Sequence, residues 1–419
     1  MDRILVRGGP RLVGEVAVSG SKNATLALIA AAALAEGETI LHNVPRLRDV
    51  DAMLELLRAL GARADWHEEE GHAVRIDASS INRFEAPYEL VRKMRASFLV
   101  LGPLLTRFGT ARVSEPGGCA IGVRPVDQHL KGLTAMGGKV RLDHGYVEVT
   151  SSGLRGARIA FDLVTVNGTQ NLMMAAALAR GETILENAAC EPEVVELAEA
   201  LNAMGGSVRG AGGDRIVIRG VGSLRGIRHV VSGDRIEAGT LLAAAMVTLG
   251  DVRVTGIDTS MLESTLDKFR EAGADVDIEA TSVRVRADER PNAAGVVTAP
   301  FPGFPTDMQA QIMAVLSVAT GSSLITEGVF ENRFMHVPEL QRMGANIVLS
   351  GRTARIEGVP RLMGAPVMAT DLRASAGLIV AALAAEGESV VNRVYHIDRG
   401  YERIEEKLRG LGAEIRREG

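Results

Sequence analysis

The stretch Ala33-Leu34-Ala35-Glu36-Gly37-Glu38-Thr39-Ile40-Leu41 returns almost unchanged as Ala177-Leu178-Ala179-Arg180-Gly181-Glu182-Thr183-Ile184-Leu185. In both, an apolar helical run meets a glycine and then a β-branched run. Looser copies centre on Gly109, Gly250, Gly321 and Gly387, so six glycines recur at intervals of 66 to 72 residues. A second marker follows each first after 23 to 28 residues, where an amphipathic stretch runs into Gly61-Ala62, Gly137-Gly138, Gly205-Gly206, Gly273-Ala274, Gly344-Ala345 or Gly412-Ala413. Glycine suits the position just past a helix, because without Cβ it enters the left-handed region cheaply and turns the chain into a strand. A single helix–glycine–strand junction belongs to any α/β protein. Six in register predict six related units, each with two helices and several strands. The alanine-rich stretches 25–35 and 171–179 are apolar almost throughout, which predicts helices enclosed by sheets rather than helices coating one.

At 419 residues the chain exceeds the roughly 250–300 at which one hydrophobic core stops growing, so two or more domains are expected. With 47 Lys+Arg against 52 Asp+Glu the net charge is −5, which lacks the basic excess a nucleic-acid backbone attracts. Aromatic residues at 3% leave little for base stacking. The longest apolar runs, near 26–35 and 378–385, are shorter than the ~18 residues of a membrane span. Met1-Asp2-Arg3-Ile4 does not open a basic-then-apolar leader. Cys119 and Cys190 are the only cysteines, a usage that fits a reducing compartment. A cytoplasmic protein is expected, with no nucleic-acid or membrane partner. The eight histidines show no metal-binding spacing, and Walker and dinucleotide fingerprints are missing, so no metal or other cofactor is expected.

Three regions could carry chemistry. In Val18-Ser19-Gly20-Ser21-Lys22-Asn23-Ala24-Thr25 a strand ends and an apolar helix begins, with Ser21 or Asn23 able to cap it. Exposed helix N–H groups and the Lys22 ammonium there attract anions, or else Lys22 is a solvated charge beside an ordinary cap. Glu115-Pro116-Gly117-Gly118-Cys119-Ala120-Ile121-Gly122-Val123-Arg124-Pro125-Val126-Asp127-Gln128-His129 sets Cys119 on a glycine-rich loop five residues before Arg124. Such a thiol reads either as an activated acid or nucleophile or as a small buried side chain. Cys190 has no such setting and reads as inert. Phe304-Pro305-Thr306-Asp307-Met308 puts Asp307 at a helix start, as a cap or as a reactive carboxylate. Arg95, Arg333, Arg373 and Arg399 each fall at an element boundary, where a single Arg is most often a surface charge.

Taken together these motifs resemble the enolpyruvyl transferases that act on UDP-N-acetylglucosamine, a branch of the EPSP synthase-like family. The resemblance runs end to end. Its most specific parts are Gly20-Ser21-Lys22-Asn23, the Pro116–Asp127 loop, Phe304–Gln311, Glu331-Asn332-Arg333-Phe334-Met335-His336 and Asp398-Arg399-Gly400-Tyr401. It implies an inside-out α/β barrel fold of two domains, three repeat units in each, at 21–230 and at 1–20 plus 231–419, with a cleft between them. It also implies transfer of the enolpyruvyl group of phosphoenolpyruvate to the 3′-hydroxyl of UDP-N-acetylglucosamine, the first committed step of peptidoglycan synthesis, without a cofactor. By motif, Cys119 would protonate the methylene carbon on a loop acting as a lid, and Asp307 would take the hydroxyl proton. Lys22, Asn23, Arg124 and Arg399 would hold phosphoenolpyruvate, while Arg95, Arg124, Pro125, Val126, Asp127, Gln128, Asp307 and Val329 would contact the UDP-sugar. Phosphoenolpyruvate is multiply anionic, and Lys22, Arg124, Arg333, Arg373 and Arg399 are the cations expected to offset it. Leu163 stands where some relatives carry a nucleotide-binding Lys. The closest competing reading is a transferase acting on shikimate 3-phosphate, and the Cys119 loop weighs against it. A silent UDP-sugar-binding regulator is the alternative outside enzymes. The oligomeric state stays open, with a monomer the simpler reading.

Overall fold

The computed structural model describes residues 2–115 and 126–419. Cys119, Arg124 and Pro125, three of the expected site residues, lie outside them. The described chain divides into an N-unit of 20–115 and 126–232 and a C-unit of 2–19 and 233–419. No helix among the described residues is long and apolar enough to cross a membrane.

Each unit contains three four-stranded sheets of one design. In the N-unit, strand Arg158–Ala160 lies parallel to Glu182–Glu186, which pairs antiparallel with Arg215–Arg219, and that in turn with Val208–Arg209. In the C-unit, Gly295–Val297, Ser322–Thr326, Thr353–Glu357 and Asn346–Ser350 repeat the order and the directions. One C-unit sheet is completed from the start of the chain. Arg3–Arg7 sits antiparallel between Glu388–Asn392 and Glu414–Glu418, with Ile4 opposite both Val391 and Arg417. Val13–Ala17 adds a parallel strand to Asp251–Thr255.

Helices form the middle of each unit, because alanine-rich helices have no polar face to offer water. In the C-unit every residue of Arg235–Val247 and Gln309–Ser317 is buried, as is all of Leu372–Leu383 except Leu372. These three pack on one another. At Gly377 the approach is so close that a Cβ would stand 2.8 Å from the carbonyl carbon of Ala310. In the N-unit the corresponding helices are Lys22–Ala32, buried from Ala24 onward, and Val166–Ala177, buried from Gly168 onward. Both begin earlier than the apolar pattern suggests, because their first turns carry polar residues. The first helix ends at Ala32, and Ala33 and Leu34 turn the chain into the short strand Ala35–Glu36.

The glycine reading holds at all six second markers, whose φ angles lie between 92° and 105°. Five of the six first markers take the same conformation. Gly37, Gly109, Gly181, Gly321 and Gly387 are left-handed, but in the fourth copy Leu249 takes that conformation at φ 51° and Gly250 does not. Gly250 answers a different need there, since a Cβ would lie 2.5 Å from the carbonyl oxygen of Leu12.

Candidate active site

In the N-unit, Ser21 caps helix Lys22–Ala32 by accepting the Ala24 N–H at 3.3 Å, and Asn23 is half-buried in the first turn. The Lys22 ammonium lies 3.0 Å from the Asp49 carboxylate, the two side chains being only 12% and 3% exposed. Asp49 occupies the first turn of helix Arg48–Leu60, where the N-terminal end of the helix dipole favours a negative charge. Lys22 is therefore neither loose nor solvated. It is held by a buried acid.

A second N-unit group surrounds His129. Asp127 and Gln128 open helix Asp127–Ala135, with half-buried Val126 just before it. Gln128 is buried and bridges elements: its Nε2 donates to Asp162 at 3.1 Å, and its Oε1 accepts the Asp162 N–H at 2.9 Å. Asn171 Nδ2 lies 2.9 Å from His129 Nδ1, and Asn171 Oδ1 accepts the Gly102 N–H at 2.7 Å. Phe98 meets the His129 ring edge-on at 5.2 Å. Burial pushes the His129 pKa down to about 4, with Asp127 opposing the shift and Arg95, on the turn Arg95–Val100, adding to it. Leu163, 70% exposed, makes no part of this group; the helix after it is capped by Thr165.

In the C-unit, Asp307 does not cap the helix that follows it. It lies on the turn Thr306–Met308, and both oxygens face guanidinium groups. Arg333 Nη2 donates to Oδ1 at 2.7 Å, while Arg373 Nε and Nη2 reach Oδ2 at 3.1 Å. Arg333 and Arg373 are only 6% and 3% exposed, so neither is a surface charge. Arg373 lies 5.3 Å from the ring centre of buried Tyr401, whose hydroxyl meets Thr240 and Gln311, each at 3.0 Å. Burial works against the Arg373 charge, but Tyr401, Asp307 and Asp234 outweigh it and raise the pKa further. Its Nη1 is buried and makes no hydrogen bond among the described residues. Val329 sits on a loop anchored by Glu327. Arg399 ends the turn Val394–Arg399, just after Asp398, which Arg417 grips with a two-pronged contact at 2.6 and 3.2 Å. His396, on the same turn, has its pKa lowered by burial first and then by the Arg399 charge.

The structure thus brings Asp307, Arg333 and Arg373 into one cluster in the C-unit, and places Arg95, Asp127 and Gln128 about His129 in the N-unit. Sequence reasoning missed Asp49, Glu327 and Arg417. Asp49 had a usable signal, an acid among the buried positions of an amphipathic helix. Glu327 had none, because it follows a strand in an ordinary polar loop. Cys190 has its pKa raised by burial first, then by Glu191 and Asp214, a setting opposite to that of a reactive thiol. No cluster of three metal-ligating side chains occurs among the described residues.

His336, at the start of helix Val337–Arg342, is buried like His129, and burial takes its pKa to about 4 as well. A base whose folded-state pKa lies below its unfolded value is neutral in the native protein and takes up a proton on unfolding. The stability each histidine adds is complete above pH 6.5 and fades as pH falls toward 4, by roughly 2 kcal/mol each at pH 5. Urea unfolding at pH 7 and pH 5 checks this. His129→Gln is expected to flatten the pH dependence, and an unchanged slope would remove His129 from the account.

The chain as a whole is similar to known proteins. The family model described as EPSP synthase (3-phosphoshikimate 1-carboxyvinyltransferase) matches residues 6–408. The chain is 58% identical over 420 residues to the UDP-N-acetylglucosamine 1-carboxyvinyltransferase of Anaeromyxobacter sp. (strain Fw109-5), with 100% of both chains covered. It is 56% identical over 418 residues to the protein of that name from Trichlorobacter lovleyi, covering 100% of this chain and 99% of the relative. A solved structure, the enolpyruvyl transferase NikO from Streptomyces tendae, matches with a TM-score of 0.89 at 29% identity, over 99% of this chain and 98% of that one.

Proposed function

We propose a reaction for this chain, which belongs to the EPSP synthase family. It transfers the enolpyruvyl group of phosphoenolpyruvate to the 3′-hydroxyl of UDP-N-acetylglucosamine and releases phosphate, in a cytoplasmic step toward peptidoglycan. The relatives' shared name and the Cys119 loop support this acceptor. The observation that carries the chemistry is Asp307, a carboxylate held by two nearly buried guanidinium groups.

The acceptor hydroxyl loses its proton to Asp307 as its oxygen bonds to the central carbon of phosphoenolpyruvate. The methylene carbon takes a proton from Cys119, giving a tetrahedral ketal. Loss of a proton from the new methyl group and of phosphate from the ketal carbon then restores the double bond. Lys22, Asn23, Arg124 and Arg399 are assigned to phosphoenolpyruvate, with Arg333 and Arg373 adding positive charge. Buried guanidinium groups suit this task, since they stay charged and present fixed forks to phosphate and carboxylate oxygens. The unused Nη1 of Arg373 supports that assignment. Arg95, Arg124, Pro125, Val126, Asp127, Gln128, Asp307 and Val329 are assigned to the UDP-sugar.

Phosphate release decides among the readings. Release from phosphoenolpyruvate with UDP-N-acetylglucosamine, and not with shikimate 3-phosphate, is the expected result. Release with shikimate 3-phosphate alone would move the chain to the other branch, and release with neither would leave a UDP-sugar-binding regulator.

A further inference from the structure

The Glu327 side chain is the hub of the C-unit cluster, although sequence reasoning gave it no role. The residue is 1% exposed. Its Oε1 accepts from Thr298 Oγ1 at 2.7 Å, from the Val329 N–H at 2.9 Å and from the Phe330 N–H at 3.1 Å. Thr306 Oγ1 lies 3.0 Å from both carboxylate oxygens. A buried carboxylate is costly unless its oxygens are satisfied, and here four donors satisfy them. No guanidinium among the described residues touches it directly. Arg333 is reached through Thr306, whose Oγ1 accepts from Arg333 Nη1 at 2.9 Å, while Nη2 of the same guanidinium donates to Asp307 at 2.7 Å.

The direction of this chain is fixed by elementary valence. A carboxylate cannot donate, so the single Thr306 proton points at Glu327 and leaves the hydroxyl lone pairs to Arg333. We propose that Glu327 is a positioning residue, which through Thr306 fixes Arg333 against Asp307 and through two backbone N–H groups fixes the loop carrying Val329. It touches neither substrate. One buried carboxylate would then set the proton-accepting carboxylate and a sugar-contacting loop in register together. This inference rests on the reaction proposed above.

Three variants test it in the full chain. Thr306→Val keeps the shape and removes the hydroxyl, and it is expected to lower kcat about 10- to 100-fold while the melting temperature moves little, since misplacement near 1 Å is enough for such a loss. Thr306→Ser restores the hydroxyl and is expected to return kcat to within about threefold of the parent. Glu327→Gln can no longer accept at one atom and offers Thr306 a donor instead, so kcat falls and KM for UDP-N-acetylglucosamine rises. A folded Thr306→Val enzyme with parental kcat would overturn the inference, and so would a Glu327→Gln variant that loses only thermal stability. A parent that releases no phosphate would instead bring down the reaction itself.

Discussion

Replacing Asp307 by Ala is expected to abolish phosphate release while UDP-N-acetylglucosamine still binds. The variant removes the group assigned to take the hydroxyl proton, and general base catalysis alone is worth about 10²- to 10⁴-fold. It also strips Arg333 and Arg373 of their shared carboxylate. Both guanidinium groups are nearly buried, and removing one member of such an ion pair costs about 3–5 kcal/mol. A loss of activity in the Ala variant therefore mixes chemistry with packing. Asp307→Asn reduces the mixture: the amide oxygen still accepts from one Arg, so the packing loss is smaller than in the Ala variant, but the side chain cannot take a proton. The expected result is a folded Asn variant whose kcat is at least about 10³-fold down and whose UDP-N-acetylglucosamine affinity by calorimetry is within about tenfold of the parent. Parental kcat in that variant would leave Asp307 as nothing more than the counter-ion of two arginines.

The repeat was legible because it rests on local chemistry. Left-handed glycines after helices and alanine-rich helices without a polar face both follow from a few adjacent residues, and both appear in the structure. The exception at Leu249 shows the limit: there a contact with Leu12, some 240 residues away in sequence, decides where glycine is needed. The same limit governs the candidate site. Arg333 and Arg373 each look like surface charges until the fold brings them to opposite oxygens of Asp307. Glu327 and Asp49 meet partners well away in sequence, Thr298 and Lys22, and only Asp49 leaves a trace in the local pattern. Arg417 belongs with them, since its grip on Asp398 joins the last strand, Glu414–Glu418, to the turn Val394–Arg399. Residue type and spacing indicate which groups could react. Which acid meets which cation is settled by packing.

Lys22 gives the second large effect, and it is expected to split into two parts. The Lys22 ammonium lies 3.0 Å from Asp49, and both side chains are mostly removed from water. Lys22→Met keeps the stem of the side chain but takes this cation from a carboxylate that is 3% exposed, which is expected to cost the N-unit up to about 3 kcal/mol. The second part is functional. A positive charge at a helix N-terminus adds to the pull of the unpaired N–H groups on an anion, and its loss is expected to lower kcat/KM for phosphoenolpyruvate at least about 100-fold. The double variant Lys22→Met/Asp49→Asn tells the two apart. Neutralising the acid removes the reason for the stability loss, so urea unfolding should return most of the way to the parent, while kcat/KM for phosphoenolpyruvate stays low. Recovery of both together would mean that Lys22 acts only by holding Asp49. Parental kcat/KM in the single variant would take Lys22 out of the phosphoenolpyruvate assignment altogether.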